Sequence, residues 1–318
     1  MYLYGISEYL PERVVGNEYF GERAGRAAKW YERLTGMRER RRAAPGENAN
    51  TMALSAVERL VAASPGILDN VDLIIGGSYT PWDTIATIAH VVQRKFELRH
   101  ARALYVSSAC SSFLNAIELT LAFFESGRST DALLVMSEHN SLYGSDDDPR
   151  SGHLWGDGAA AVLLSRSPRP GSFMSISDVT TAGLGCLGFG PEAIYCAPRA
   201  DGLVMPQGKD VFEQACVAMA DATRDLLARN GLAAEDMRLL VAHQANGRIL
   251  EQVAQNLHLR PDRIASTVET LGNTGCASIP ITLARHRHLL KKGDWVALTA
   301  FGGGYSAGAA LARAEVGP

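Results

Sequence analysis

The chain has 318 residues, 47% apolar and 20% charged, and its 31 Lys and Arg stand against 34 Asp and Glu for a net charge of −3. These values exclude a disordered or fibrous chain, and the lack of a basic excess argues against a nucleic-acid partner. No apolar run approaches the ~20 residues of a bilayer span, and Met1 to Glu8 is not a charged segment leading into an apolar core. The expectation is therefore a cytoplasmic protein with no membrane partner.

At about 100–200 residues per domain, the length fits two domains or one large one built from two halves. Strand-like and helix-like runs alternate, which predicts an α/β fold with a mainly parallel sheet. In chain order, residues 71–76 and 103–106 read as strands. Residues 113–124 read as a helix, with Glu118 breaking the face opposite its apolar one, and residues 132–136 as a strand. In the second half, 211–227 reads as a helix, 239–242 as a strand, 249–257 as a helix and 295–299 as a strand.

The two halves share a layout. A strand from Asp72 is followed 38 residues later by Cys110 at a strand-to-helix junction; a strand from Met237 is followed 36 residues later by Asn273, also just before a helix. If this reflects duplication, equivalent strand ends meet at one crevice. Ligands bind at the carboxyl ends of strands in open α/β sheets, so Cys110, His243 and Asn273 would converge there.

Five cysteines, none in C-x-x-C spacing or at zinc-ligand spacing with a histidine, argue against a disulfide framework and a metal site. Cys110 stands out. Its thiol follows small residues (Ser107-Ser-Ala-Cys110) and opens an amphipathic helix, whose unpaired N–H groups favour thiolate and form an oxyanion site. Cys216 sits in a helical run and reads as packing. Cys186 and Cys196 fall in a Gly-rich segment with no base nearby, and Cys276 reads as filler near Asn273. A thiolate nucleophile needs partners to hold charge developing on its substrate. His243, after an apolar strand, and Asn273, in a small-residue loop, are in position to be those partners.

Four ordered motifs carry a resemblance: Ala109-Cys110 before a helix, Gly156-Asp-Gly-Ala-Ala-Ala161, His243-Gln-Ala-Asn246, and Gly272-Asn-Thr274 continuing to Ala277-Ser-Ile-Pro280. Phe301-Gly-Gly-Gly304 followed by Gly308 is a fifth, and Tyr9-Leu-Pro-Glu12 and Thr35-Gly-Met-Arg-Glu-Arg40 match near the N-terminus. In order and spacing, end to end, the chain resembles the β-ketoacyl-(acyl carrier protein) synthase III group of the thiolase superfamily.

The resemblance implies a thiolase-like five-layered α-β-α-β-α fold from two related halves, residues 1–168 with the cysteine and 169–318 with the histidine and asparagine, usually as a homodimer. It implies that Cys110 takes an acyl group from coenzyme A, or from a carrier protein. Decarboxylative Claisen condensation with a malonyl-type thioester on acyl carrier protein then follows, with no permanently bound cofactor. His243 and Asn273 would donate to the malonyl thioester oxygen, and the backbone N–H groups of Cys110 and Gly303 would form the other oxyanion site. Trp30, Arg150, Gly208 and Asn246 would bind coenzyme A or substrate, and Arg248 would dock the carrier protein. Leu34 stands where the family has a nucleotide-side arginine, with Arg33 beside it. The loop Ser78-Tyr-Thr-Pro-Trp-Asp-Thr84 reaches toward the partner subunit's acyl pocket in the family, which assigns Trp82 and Asp83 to that pocket and suggests an acyl group other than plain acetyl. The alternative chemistry is transfer of the cysteine-bound acyl group to an alcohol or amine without condensation. Intact Asn273 argues against it, and Phe301-Gly-Gly-Gly-Tyr-Ser306 lacks the second cysteine of a degradative thiolase.

Overall fold

A computed structural model describes residues 1–197 and 202–316. The first half runs β1 (Tyr2–Tyr9), β2 (Arg13–Gly16), α1 (Asn17–Ala24), α2 (Ala28–Thr35), β3 (Glu39–Arg42), α3 (Ala49–Ala63) and β4 (Leu73–Gly77). It continues with α4 (Ile88–Lys95), β5 (Arg102–Val106), α5 (Ser112–Glu125), β6 (Asp131–Glu138), α6 (Asn140–Tyr143) and β7 (Gly158–Ser165). The second half runs β8 (Met174–Gly183), β9 (Tyr195–Ala197), β10 (Gly202–Val204), α7 (Gly208–Arg229), β11 (Met237–Ala242) and α8 (Gly247–Asn256). It ends with α9 (Val268–Leu271), α10 (Ser278–His286), β12 (Trp295–Gly302) and β13 (Ser306–Ala314).

The order β5-β4-β6-β7-β1 is mirrored by β11-β12-β13-β8, and the two runs join where Tyr2 and Leu3 of β1 pair with Ser175 and Met174 of β8. A single parallel bridge from Leu240 to Ile264 stands where β5 would have its counterpart beyond β11. The expected mainly parallel sheet needs correcting. The ladders β4–β5, β4–β6 and β11–β12 are parallel, whereas β6–β7, β1–β7, β1–β8, β12–β13 and β8–β13 are antiparallel. The strands that pair antiparallel include Gly158-Ala-Ala-Ala161 in β7 and Ser306-Ala-Gly-Ala-Ala310 in β13, whose small residues carry little strand signal of their own.

Helix α3 covers the outer face of the first run and α7 that of the second, while α5 and α10 lie between and touch strands of both. The layers are thus α, β, α, β, α. The middle layer is apolar. Phe113, Leu114 and Ile117 of α5 and Ile279, Ile281 and Leu283 of α10 belong to one buried cluster with Leu73 and Ile75 of β4, Leu239 and Val241 of β11 and Leu298 of β12. Each such side chain contributes about 1.5–3 kcal/mol on burial, so the two helix starts are held firmly between the sheets. The carboxyl ends of β4, β6, β11 and β12 all open toward those helix starts.

Candidate active site

The cysteine turn is the tightest piece of backbone in the site. Ala109 has φ 49°, a conformation L-residues rarely adopt, and Cys110 follows it two residues before α5 begins. The glycine loop after β12 closes over this turn. A Cβ on Gly302 would stand 2.9 Å from the Cys110 backbone nitrogen, so only glycine lets the two segments meet. A Cβ on Gly303 would be 3.8 Å from that of Ala109, which sets the Gly303 backbone beside the nucleophile turn.

The opposite wall is built by the second half. His243 follows β11 directly, its N–H bonded to Thr299 O at 2.8 Å. Its Nδ1 lies 2.7 Å from Ser278 Oγ, and that oxygen already accepts the Gln244 N–H at 3.3 Å. With one lone pair of that oxygen taken, donation of the serine proton to Nδ1 would leave Nε2 as the N–H of the ring. Burial holds the imidazole down at about 4, against a weaker backbone hydrogen bond with Gly275, so it is neutral at pH 7. Asn273 is clamped by its backbone: its N–H donates to Leu154 O and its carbonyl accepts from Gly156 N–H, both at 2.9 Å. A Cβ on Gly156 would reach to 2.0 Å from Leu271 O, which accounts for glycine in that motif. Asn273 Oδ1 accepts the Gly275 N–H at 2.9 Å, which leaves its NH2 as donor.

Gly275 ties the walls together. A Cβ there would meet the Tyr79 hydroxyl at 2.7 Å, and that hydroxyl lies beside the Cys110 sulfur. Cys110, His243 and Asn273 are all buried, and Gly275 borders each: its backbone bonds Asn273 and His243, and its α-carbon faces the Tyr79 hydroxyl beside Cys110.

Two residues in this group escaped the sequence reading. Glu138, the last residue of β6, is wholly buried. It accepts from the Ser78 hydroxyl at 2.9 Å, from the N–H of Tyr79 and Thr80, from the Thr80 hydroxyl and from Cys276 N–H at 3.4 Å. Burial still raises it to about 7 despite these donors. The strand-end rule, applied to β6 as it was to β11, would have singled it out. Tyr79 lies in the same loop as Trp82 and Asp83, and no local pattern marks its hydroxyl as part of the site.

The thiol does not behave as expected. Burial first, then the Glu138 charge, push Cys110 from 9.0 up to about 12, while the Tyr79 hydroxyl and its own N–H oppose weakly. That displacement is roughly 4 kcal/mol. A helix end supplies about 2 kcal/mol in its best cases, so desolvation wins and the resting group is a thiol.

Matches to known proteins run the length of the chain. Residues 105–183 match the model described as 3-oxoacyl-[acyl-carrier-protein (ACP)] synthase III, and 227–314 match its C-terminal model. The β-ketoacyl-[acyl-carrier-protein] synthase III of Alkalilimnicola ehrlichii is 34% identical over 315 residues, 97% of this chain and 98% of the relative. The chain belongs to the β-ketoacyl-(acyl carrier protein) synthase III family. Its members are condensing enzymes, and among solved structures the synthase III of Thermus thermophilus superposes with TM-score 0.91 at 32% identity, covering 98% of each chain. The priming β-ketosynthase of the R1128 polyketide pathway superposes with TM-score 0.89 at 26% identity, covering 99% of this chain and 96% of the other. The thiolase-like fold is therefore established.

For a synthase III chain, the remaining predicted residues divide into two sets. A groove of about 540 Å3 is lined by Arg150, His153, Gly208, Asn246, Arg248 and Asn273. His153 is buried there, held at about 4 by burial and by the Arg40 guanidinium. Arg248 is partly committed: Nε and Nη2 donate to Arg33 O at 3.2 and 2.7 Å, and Nη1 pairs with Glu251 at 2.8 Å. Asn246 caps α8 through the Arg248 N–H. Trp30 stands outside the groove wall, with the Arg26 guanidinium 4.2 Å over its ring. Leu34 lines the groove and is exposed. Trp82 is 57% exposed and Ile85 87%, while Asp83 accepts the Ile85 and Ala86 N–H groups in a turn. Neither Trp82 nor Asp83 reaches the pocket of its own chain.

Proposed function

We propose that this synthase III accepts an acyl group on Cys110 and extends it by decarboxylative condensation with a malonyl-type thioester on acyl carrier protein. The reading is supported by a buried thiol at Cys110 and by two neutral donors, His243 and Asn273, both bonded to the Gly275 backbone beside the Tyr79 hydroxyl, with Asn273 in the groove lining. In the first step Cys110 attacks the acyl thioester carbonyl. The sulfur–carbon bond forms, the donor's thiol leaves, and the Cys110 proton goes to that leaving sulfur, so the resting thiol never has to exist as free thiolate. The Cys110 and Gly303 N–H groups hold the oxyanion. In the second step the malonyl carbon–carboxylate bond breaks and the electron pair becomes an enolate. Carbon dioxide leaves, His243 Nε2–H and the Asn273 NH2 stabilise the enolate oxygen, the carbon attacks the acyl carbonyl, and Cys110 departs as thiolate that takes a proton from water to restore the resting thiol. Donors preorganised in a dry site stabilise charge that appears only in the transition state, which is the most effective use of a hydrogen bond.

The groove, with Arg150 in its lining, supports coenzyme A thioesters as donors, and Arg248 is the basic residue proposed to meet the acidic carrier protein. The layout supports residues 1–168 and 169–318 as the two related halves. A homodimer is supported by β5, an edge strand whose Leu104, Tyr105 and Val106 are only half-buried, and by exposed Trp82, Ile85 and Leu119. In such a dimer Trp82 and Asp83 would border the partner's acyl pocket. Five free thiols suit a reducing, cytoplasmic setting.

The test is sequential. The protein is incubated with radiolabelled acyl-coenzyme A, then malonyl-carrier protein is added and carbon dioxide release is followed. Label on Cys110 followed by release supports condensation; stable label with no release, transferable to an alcohol or amine, would establish the transferase chemistry instead.

A further inference from the structure

The Tyr79 hydroxyl is enclosed beside the Cys110 sulfur, which is its one polar neighbour of note, and among the described residues it makes no hydrogen bond of ordinary length and angle. The polar groups of its own loop are paired. The Tyr79 backbone N–H is on Glu138, the Ser78 and Thr80 hydroxyls are on the same carboxylate, and Tyr105 donates to Ser78 O at 2.6 Å. The neighbouring Glu138 has no need of the phenol. A buried donor left open in so fully paired a neighbourhood is costly unless a ligand completes it.

Acylation of Cys110 makes the question sharper. The thioester sulfur is a poor acceptor, and the thioester carbonyl is taken by the proposed Cys110 and Gly303 N–H groups. The first carbons of the acyl chain then lie next to the phenol. Gly275 leaves room there, since a side chain at that position would collide with the Tyr79 hydroxyl and the Glu138 methylene.

We propose that Tyr79 is a specificity-determining residue whose hydroxyl donates to an oxygen on the second or third carbon of the Cys110-bound acyl group, so the preferred primer is a short hydroxyacyl or ketoacyl chain rather than a saturated one. The inference rests on the condensing-enzyme reading for its nucleophile. A site built to pair a substrate hydroxyl discriminates strongly against the analogue that lacks it, because its own donor is then stranded.

The experiment uses pantetheine thioesters, the part shared by coenzyme A and carrier protein, carrying butyryl, 2-hydroxybutyryl or 3-hydroxybutyryl groups. Acylation kcat/KM is read by intact mass for the full chain and for Tyr79→Phe, with thermal melting as the folding control. One of the hydroxybutyryl donors is expected to exceed butyryl by at least tenfold in the wild type, and Tyr79→Phe is expected to bring that ratio to within about twofold of unity. A wild-type ratio below threefold for both donors, or a ratio that survives in the folded phenylalanine variant, overturns the proposal. No adduct from any thioester in either protein would instead remove the nucleophile assigned to Cys110, and the reading beneath the proposal with it.

Discussion

The loops after β4 and β11 occupy the same place in the two halves and hold their buried polar side chains differently. After β11, Gln244 donates to Ala242 O and Ala265 O and accepts from the N–H groups of Thr267 and Val268, so its amide is fully used in fastening the loop. After β4, the Tyr79 hydroxyl lies against the Cys110 sulfur and makes no hydrogen bond of ordinary length and angle among the described residues. The titratable groups diverge too. The first half buries a carboxyl raised to about 7 near the thiol, whereas the second buries an imidazole lowered to about 4. Each shift favours the neutral form, because desolvation penalises whichever state is charged. The lesson is that duplicated scaffolds supply equivalent positions, while the local donor count decides which groups are structural and which are held open for a ligand.

The largest effect separates the two halves by reaction step. Cys110→Ala should abolish acyl-enzyme formation and lower overall turnover by about 10^4-fold or more, as removal of a nucleophile does elsewhere. Asn273→Ala should keep the acyl adduct visible by intact mass and lose about 10^2–10^3-fold in carbon dioxide release, the usual cost of an oxyanion donor. Condensation at the wild-type rate in that variant would end the division of labour proposed for the halves.

The opposed pKa shifts can be read as stability. Between pH 4.5 and about 7 the folded state keeps a proton on Glu138 that the unfolded chain has released, so its contribution falls as pH rises through that window. His243 has the opposite sign: from pH 6.5 down to about 4 the unfolded chain binds a proton that the fold refuses, so stability is lost as pH falls. Chemical denaturation of Glu138→Gln and His243→Gln against wild type should give difference curves that slope in opposite directions. Each should span roughly 3 kcal/mol over its window at about 1.36 kcal/mol per pH unit. Parallel curves would dissolve the contrast.

The smallest effect refines the histidine side. Ser278→Ala removes the hydroxyl that fixes the ring tautomer, and condensation should slow by about tenfold while acylation is retained, roughly the worth of one hydrogen bond to a reacting group. A serine with no influence on the ratio of the two steps would leave the Nε2–H tautomer without its cause.

Much of this site was legible in local patterns. A β run of small residues before a helix exposed Cys110, an apolar strand ended at His243, and the small-residue loop marked Asn273, because strand ends and helix starts are written in short-range hydrophobic periodicity. The mixed sheet was not legible. Gly158-Ala-Ala-Ala161 in β7 and Ser306-Ala-Gly-Ala-Ala310 in β13 become strands through antiparallel neighbours, and no local propensity announces them.

The order of chemical residue types along the chain, and the approximate place of elements such as β6 and α7, were settled by sequence alone, since each depends on neighbours a few positions away. Protonation and pairing were decided only by tertiary structure. The thiol at about 12, the carboxyl at about 7 and the open phenol beside them depend on residues 30 to 200 positions apart in the chain. Desolvation and hydrogen-bond satisfaction are properties of an assembled interior, so no segment read by itself carries them.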